Sequence, residues 1–325
     1  MKFAASILLA ASAALAQVGA PPLGLVPDGA PDGVPNGVPN VVPNGVPNVV
    51  KVRPVYGIPA AAAVAAPIDY GRDFSTIAVS PSQTYALAAD SASGAVFLLS
   101  SSAAPLAGAS PNPDRIVLSP RGSSAALWFS SAGRLQIVSG LPGSPSIQNV
   151  DAALVGEVPL ALAVADDGTL AAGAFSDGLY AFGAGGQIGR IPMRERAQAL
   201  AFYSSSHDLA VATPLHVFKI ADAGSQAVTS TLYQGEQLHP AGIAITWDGG
   251  HLVLAQNSGS LLNLDLQAGT DAKIDCGCSV EGVFPMGASI FRVTAFDGFT
   301  FRLFDASSGS LFYVPLAAAQ SGGAQ

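Results

Sequence analysis

The stretch Pro240-Ala-Gly-Ile-Ala-Ile-Thr-Trp-Asp-Gly-Gly-His-Leu-Val-Leu-Ala-Gln256 decides the fold. A short apolar run, Gly242–Thr246, meets the turn pair Asp248-Gly249, and a second apolar run, His251–Gln256, follows it. Runs of this length bounded by turn residues read as strand, tight reversal, strand. Ser260–Leu266 adds a third strand and Lys273–Cys276 an outer one.

The same pattern recurs outward from this unit. Ile77-Ala-Val-Ser-Pro81, Ile116-Val-Leu-Ser-Pro120, Leu162-Ala-Val-Ala-Asp166, Leu200-Ala-Phe-Tyr-Ser204 and, more weakly, Gly282-Val-Phe-Pro285 open further units. Their fourth positions fall at 80, 119, 165, 203, 246 and 285, spaced 39, 46, 38, 43 and 39 residues apart. A period in the low forties with four strands per period is the mark of a β-propeller blade. Third strands are equally regular, at Ala95–Leu99, Leu135–Val138, Leu179–Phe182, Val217–Ile220, Leu261–Leu266 and Phe299–Phe304. The expected fold is all-β, a six-bladed β-propeller over residues 52–320, with a tail at 321–325. A seventh blade would need strand material from Val52–Asp69, completed by the C-terminus.

The wording of the units resembles secreted bacterial repeats of the YVTN/NHL-type propeller group. Those units pair a Pro-x-Gly-Ile-Ala opening with an Asp-Gly turn and a strand ending in Asn-Ser, as in Pro240–Ser258; Pro159–Phe175 is a second, looser match and Thr76–Asp90 a third. The resemblance implies the fold. Its functional implication is broad, because the group includes binding scaffolds, sugar-lactone hydrolases and surface proteins.

Ahead of the repeats lie two segments of different character. Met1-Lys2 and the apolar run Phe3–Leu15 end in Ala14-Leu15-Ala16, a small-x-small cleavage pattern. The run has thirteen residues, where a bilayer span needs about 20. Residues 1–16 therefore read as a signal peptide, and the protein as secreted or extracytoplasmic. Residues 17–51 read as a disordered linker, with four tandem x-Val-Pro-Asn copies over 33–48 and two degenerate copies over 25–32. Proline every fourth residue removes a backbone donor and fixes φ, which opposes both helix and ladder strand.

Composition narrows the function. The 325 residues carry 14 Lys+Arg against 22 Asp+Glu, a net charge of -8, which excludes the basic face a nucleic acid would need. No stretch suits a membrane span, and a monomer is expected. His207, His216, His239 and His251 stand in separate units without zinc-site spacing. A Gly-x-Ser-x-Gly elbow is absent. Arg194-Glu195-Arg196, the densest charge cluster, reads as a solvated blade-to-blade loop. Inner strands of Ala, Val, Ile, Leu and Phe offer no carboxylate to the channel, so the reading favours binding over catalysis.

The polar candidates are the residues following each second strand: Asp90, Ser130, Asp177, Thr213, Asn257 and Asp297. Loops there share one face around a propeller's channel. A ring of Asp90, Asp177, Asn257 and Asp297 would bind an extracellular protein, a glycan or a surface polymer, or hold Ca²⁺. The competing account is turn chemistry, since Asp, Asn, Ser and Thr are what β-turns are made of. No catalytic residue and no resident cofactor is expected. The alternative function is a lactonase-like or other hydrolytic propeller with a channel metal. Cys276-Gly277-Cys278 reads as a disulfide in an oxidising compartment, with Gly277 supplying the kink. Exported protein is expected to begin at Gln17, which N-terminal sequencing checks; retained Met1 would remove the compartment assignment.

Overall fold

Strands that are apolar on both sides can be stable only between two neighbours, and this chain has one such strand in nearly every unit. Ala86–Asp90, Ser124–Phe129 and Leu209–Ala212 are buried along their whole length. Outer strands Val228–Gln234 and Thr270–Asp275 are largely exposed. The computed structural model describes residues 22–28, 49–153, 155 and 158–317. It forms seven sheets, six of four strands and one of three. Each is an antiparallel meander, and together they make a seven-bladed β-propeller.

Blade 1 comprises Pro22–Asp28, Lys51–Tyr56 and Ala63–Val64. Blades 2 to 7 begin with the inner strands Phe74–Val79, Arg115–Leu118, Ala161–Val164, Ala199–Phe202, Pro240–Ile245 and Phe284–Pro285. They coincide with the six units expected from the repeat. The expectation of six blades is therefore one short. Val52–Asp69 does contribute to the extra blade, and Leu316 near the C-terminus bridges Val64. The inner strand of that blade, Pro22–Asp28, comes from the segment expected to be a disordered linker. Proline is tolerated there because an innermost strand has one open edge toward the channel, where Pro27 withholds no ladder bond. The x-Val-Pro-Asn copies over 33–48, the leader over 1–16 and the tail over 321–325 lie outside the described residues.

The anchor positions of the repeat are turn starts. The carbonyls of Ser80, Ser119, Ala165 and Thr246 accept the N–H of the residue three further on: Gln83, Gly122, Gly168 and Gly249. All four of those residues have positive φ, from 61° to 73°. At Gly168 a Cβ would also meet Ser139 of the preceding blade at 2.7 Å, so glycine serves both the turn and the close approach.

The core is divided into seven wedges, one between each pair of adjacent blades. The wedge between blades 3 and 4 is aromatic. Trp128, fully buried, has its ring centroid 5.4 Å from Phe175 and 6.1 Å from Phe182. The wedge between blades 7 and 1 closes the ring through Val26, Val55, Val64, Phe301 and Val314. There Arg53 pairs with Asp28 at 2.7 Å and lies over Phe296. Trp128→Ala is expected to cost about 3–5 kcal/mol, from lost burial and the cavity left behind. Urea denaturation checks this, with the midpoint moving and the slope unchanged.

Candidate functional site

The inner strands of blades 2 to 7 all run the same way, so the ring has two unlike faces. On one, the turn face, each inner strand reverses into its second strand. On the other, the mouth face, inner strands begin and second strands end. Blade 1 runs in the opposite sense. Leu25 at its middle donates its N–H to Gln83 Oε1 in a turn of blade 2, and Asp28 at its end bridges Phe296 in the mouth-face loop of blade 7.

The turn face is tied together from blade to blade. Tyr85 Oη donates to the Gly122 carbonyl, and Ser123 Oγ to the Asp166 carbonyl. The Asp166 carboxylate accepts the N–H groups of Arg121 and Ser205, each at 2.8 Å. His207 meets Asp167 at 2.9 Å. Gln83 Nε2 donates to Pro285 O of blade 7 at 3.0 Å. One tie crosses the axis: Trp247 of blade 6 donates its indole N–H to Pro120 O of blade 3 at 2.9 Å, with the Arg121 guanidinium over its ring. Blades 3 and 6 are not neighbours. Their contact straps the channel at this end.

The channel encloses about 270 Å³, walled by the inner strands. Most of the wall is Ala, Val, Ile, Leu and Pro. The expectation of wholly apolar inner strands holds for its length but not for its mouth. Arg115 stands at the start of the inner strand of blade 3, Gln198 and Glu281 just before those of blades 5 and 7, and Arg292 on blade 7's second strand. Arg115 donates to the carbonyls of Pro159 and Leu160 at 3.0 and 3.2 Å. Arg292 is only 4% exposed, lies over the Phe284 ring at 4.2 Å and donates to Thr294 O at 2.9 Å. Burial pulls its pKa down to about 10, so it stays charged at neutral pH. Burial holds the Glu281 carboxyl above the usual range, against the pull of Arg292 and the Ala295 N–H. Its Oε2 is buried without a hydrogen-bond partner. Sequence reasoning passed over this pair because blade 7's inner strand has only two residues. Its weak repeat hid that Glu281 and a second-strand arginine reach the channel.

The four ring candidates stand on the mouth face, one each on blades 2, 4, 6 and 7, and no hydrogen bond joins one to another. Asp90, 6% exposed, accepts the Ser93 hydroxyl and N–H at 2.7 Å and pairs with Arg72 at 3.4 Å. Asp177 accepts the Tyr180 hydroxyl at 2.6 Å. Asp297 accepts the N–H groups of Phe299 and Thr300, both at 2.8 Å. Asn257 is exposed, and its N–H donates to His239 O. Ser130 and Thr213 donate their hydroxyls to Asp114 and Glu195. Glu195, in the cluster read as a solvated loop, also meets His216 Nδ1 at 2.6 Å. Among the described residues, no group of three or more His, Cys, Asp or Glu is placed to hold a metal ion. Cys276 and Cys278 are joined, with Gly277 at φ 57° and the Cα atoms 5.1 Å apart.

A chain of the crystal structure of a mitotic checkpoint complex is similar over 96% of this chain and 97% of that chain, with TM-score 0.56 and 13% identity. At that identity the likeness establishes the propeller fold and nothing finer. Neither a family model nor a curated protein sequence matches the chain. Among the described residues, no helix is long and apolar enough to cross a membrane.

Several carboxyls owe a lowered pKa to loop hydrogen bonds: Asp90 first to the Ser93 hydroxyl, Asp248 first to the Thr246 hydroxyl, Asp265 first to the Ala268 N–H. A carboxyl whose folded pKa lies below its unfolded value, about 3.9, adds stability above that pH and loses it as pH falls through the folded value. Melting temperature is expected to drop between pH 5 and pH 3. Asp90→Asn should lower the neutral-pH melting temperature and flatten that dependence; calorimetry over the range checks both.

Proposed function

We propose that the protein is a secreted, non-enzymatic binding scaffold whose mouth face engages a protein, glycan or surface polymer. One observation carries the reading. The turn face spends its polar groups on blade-to-blade ties and a strap across the axis, whereas the mouth face presents the exposed loops of Asp177, Asn257 and Asp297 around a channel with a polar rim. The resemblance of Pro240–Ser258 to YVTN/NHL-type repeats supports the same reading, as does the leader pattern over residues 1–16. The scaffold acts as a monomer and needs no resident cofactor. Fixed loops suit recognition, because a partner meets groups already held in place and little ordering is lost on binding.

The loop carboxylates of Asp177 and Asp297 already serve their own turns, so a partner would use their remaining lone pairs together with the Asn257 amide. The experiment is a screen of purified protein against immobilised glycans and soluble surface polymers, followed by the triple variant Asp177→Ala, Asn257→Ala, Asp297→Ala. The expected result is a partner whose affinity falls at least tenfold in the triple variant while the far-ultraviolet spectrum is retained. A partner bound equally by the variant, or chelator-sensitive hydrolysis of a lactone or ester by the wild type, overturns the reading.

A further inference from the structure

The channel contains a charge arrangement that the scaffold role does not use. Arg292 has five guanidinium N–H donors, and among the described residues the acceptor found for them is Thr294 O. Glu281 Oε2 is buried and unpartnered at the same mouth. The two side chains are close enough to influence each other electrostatically, yet they form no ion pair within 4.0 Å. A buried cation and a buried acceptor left side by side cost more than either would if hydrogen-bonded. Apolar residues of similar volume are often no less stable than buried charges at such a position.

The space they face is suited to a small guest. The wall below them is apolar, and the far end is strapped by Trp247 on Pro120 and pinned by Gln83 on Leu25 and Pro285. Its 270 Å³ has room for several waters or for a small organic molecule. Water in a mostly apolar cavity of this depth finds few partners, whereas an apolar stem loses nothing by leaving solvent.

We propose that the channel is a blind binding pocket for a small molecule made of an apolar stem and an uncharged amide head. The amide carbonyl accepts from the Arg292 guanidinium, its N–H donates to Glu281 Oε2, and the stem lies along the inner strands. One neutral group then meets both the buried guanidinium and the unpartnered Glu281 oxygen. A carboxylate head would satisfy Arg292 but would set a second negative charge against Glu281. An alcohol's hydroxyl can also donate and accept, but from one oxygen, whereas the amide offers the two functions on separate atoms. The proposal rests on the mouth face being the open one, as in the scaffold reading, but it requires no macromolecular partner.

The test is titration calorimetry of the full protein with hexanamide, N,N-dimethylhexanamide and hexanoate. Hexanamide is expected to bind, with the dimethyl amide and hexanoate each at least tenfold weaker, since one lacks the N–H donor and the other adds charge. Glu281→Leu should erase the preference for hexanamide over its dimethyl analogue, and the separate triple variant Asp177→Ala, Asn257→Ala, Asp297→Ala should keep wild-type hexanamide affinity. If Glu281→Leu fails to fold, the three-ligand ranking on wild type decides alone. No hexanamide binding, a dimethyl amide equal to it, or hexanoate binding as tightly overturns the proposal. Loss of hexanamide affinity in the triple variant would place the site on the rim and overturn it too. A positive ranking with no glycan or polymer partner would leave the pocket standing and sink the scaffold.

Discussion

The structure depends on closing the ring. A blade whose second strand is apolar on both sides cannot sit at an edge, because its outer face would then be exposed to water. Each added blade moves that unsatisfied face one step round, and only a return to the start removes it. Seven wedges of core, one per interface, are the result. Closure is made by the most remote parts of the described chain. Val64 bridges Leu316, Asp28 bridges Phe296, and Val26 packs with Phe301 and Val314. Stability is therefore spread over interfaces between neighbours, as in other repeat architectures, but the closing interface brings in the largest sequence separation.

Closure also divides the polar groups between two faces. Turns that reverse each inner strand lie close together around the axis, so their hydroxyls and carboxylates find partners on the next blade: Ser123 on Asp166, Asp166 on Ser205, Tyr85 on Gly122. On the mouth face the carboxylates turn back on their own loops instead, as Asp297 does on Phe299 and Thr300. Both arrangements satisfy hydrogen bonds. Only the second leaves side chains at the surface beside an opening. Glu281 differs from both, since its own loop leaves Oε2 buried without a partner.

Much of this was legible along the chain. The anchors at Ser80, Ser119, Ala165 and Thr246 mark turns because a residue with positive φ must follow three positions later, and in three of the four that residue is glycine. Third strands such as Val217–Ile220 and Leu179–Phe182 fall inside the observed His216–Ala221 and Leu179–Gly183. Local propensity and spacing carry these features, and both act over a few residues. Polar turn residues were likewise visible as types, though their partners were not.

What the sequence determined by itself was the repeating unit: strand lengths, turn positions and a period that permits only a ring of blades. The number of blades was decided elsewhere. Pro22–Asp28 has the composition of a proline-rich spacer and becomes a strand only because the gap between blades 7 and 2 offers it an edge and a core, with Val26 buried against Val55 and Val64. The channel mouth was decided the same way. Nothing near Glu281 in the sequence points to Arg292, eleven positions on, until the short inner strand of blade 7 lets both reach the axis. Propensity is a property of neighbours along the chain, whereas edge pairing and buried charge depend on neighbours in space, which are defined only once the ring has closed.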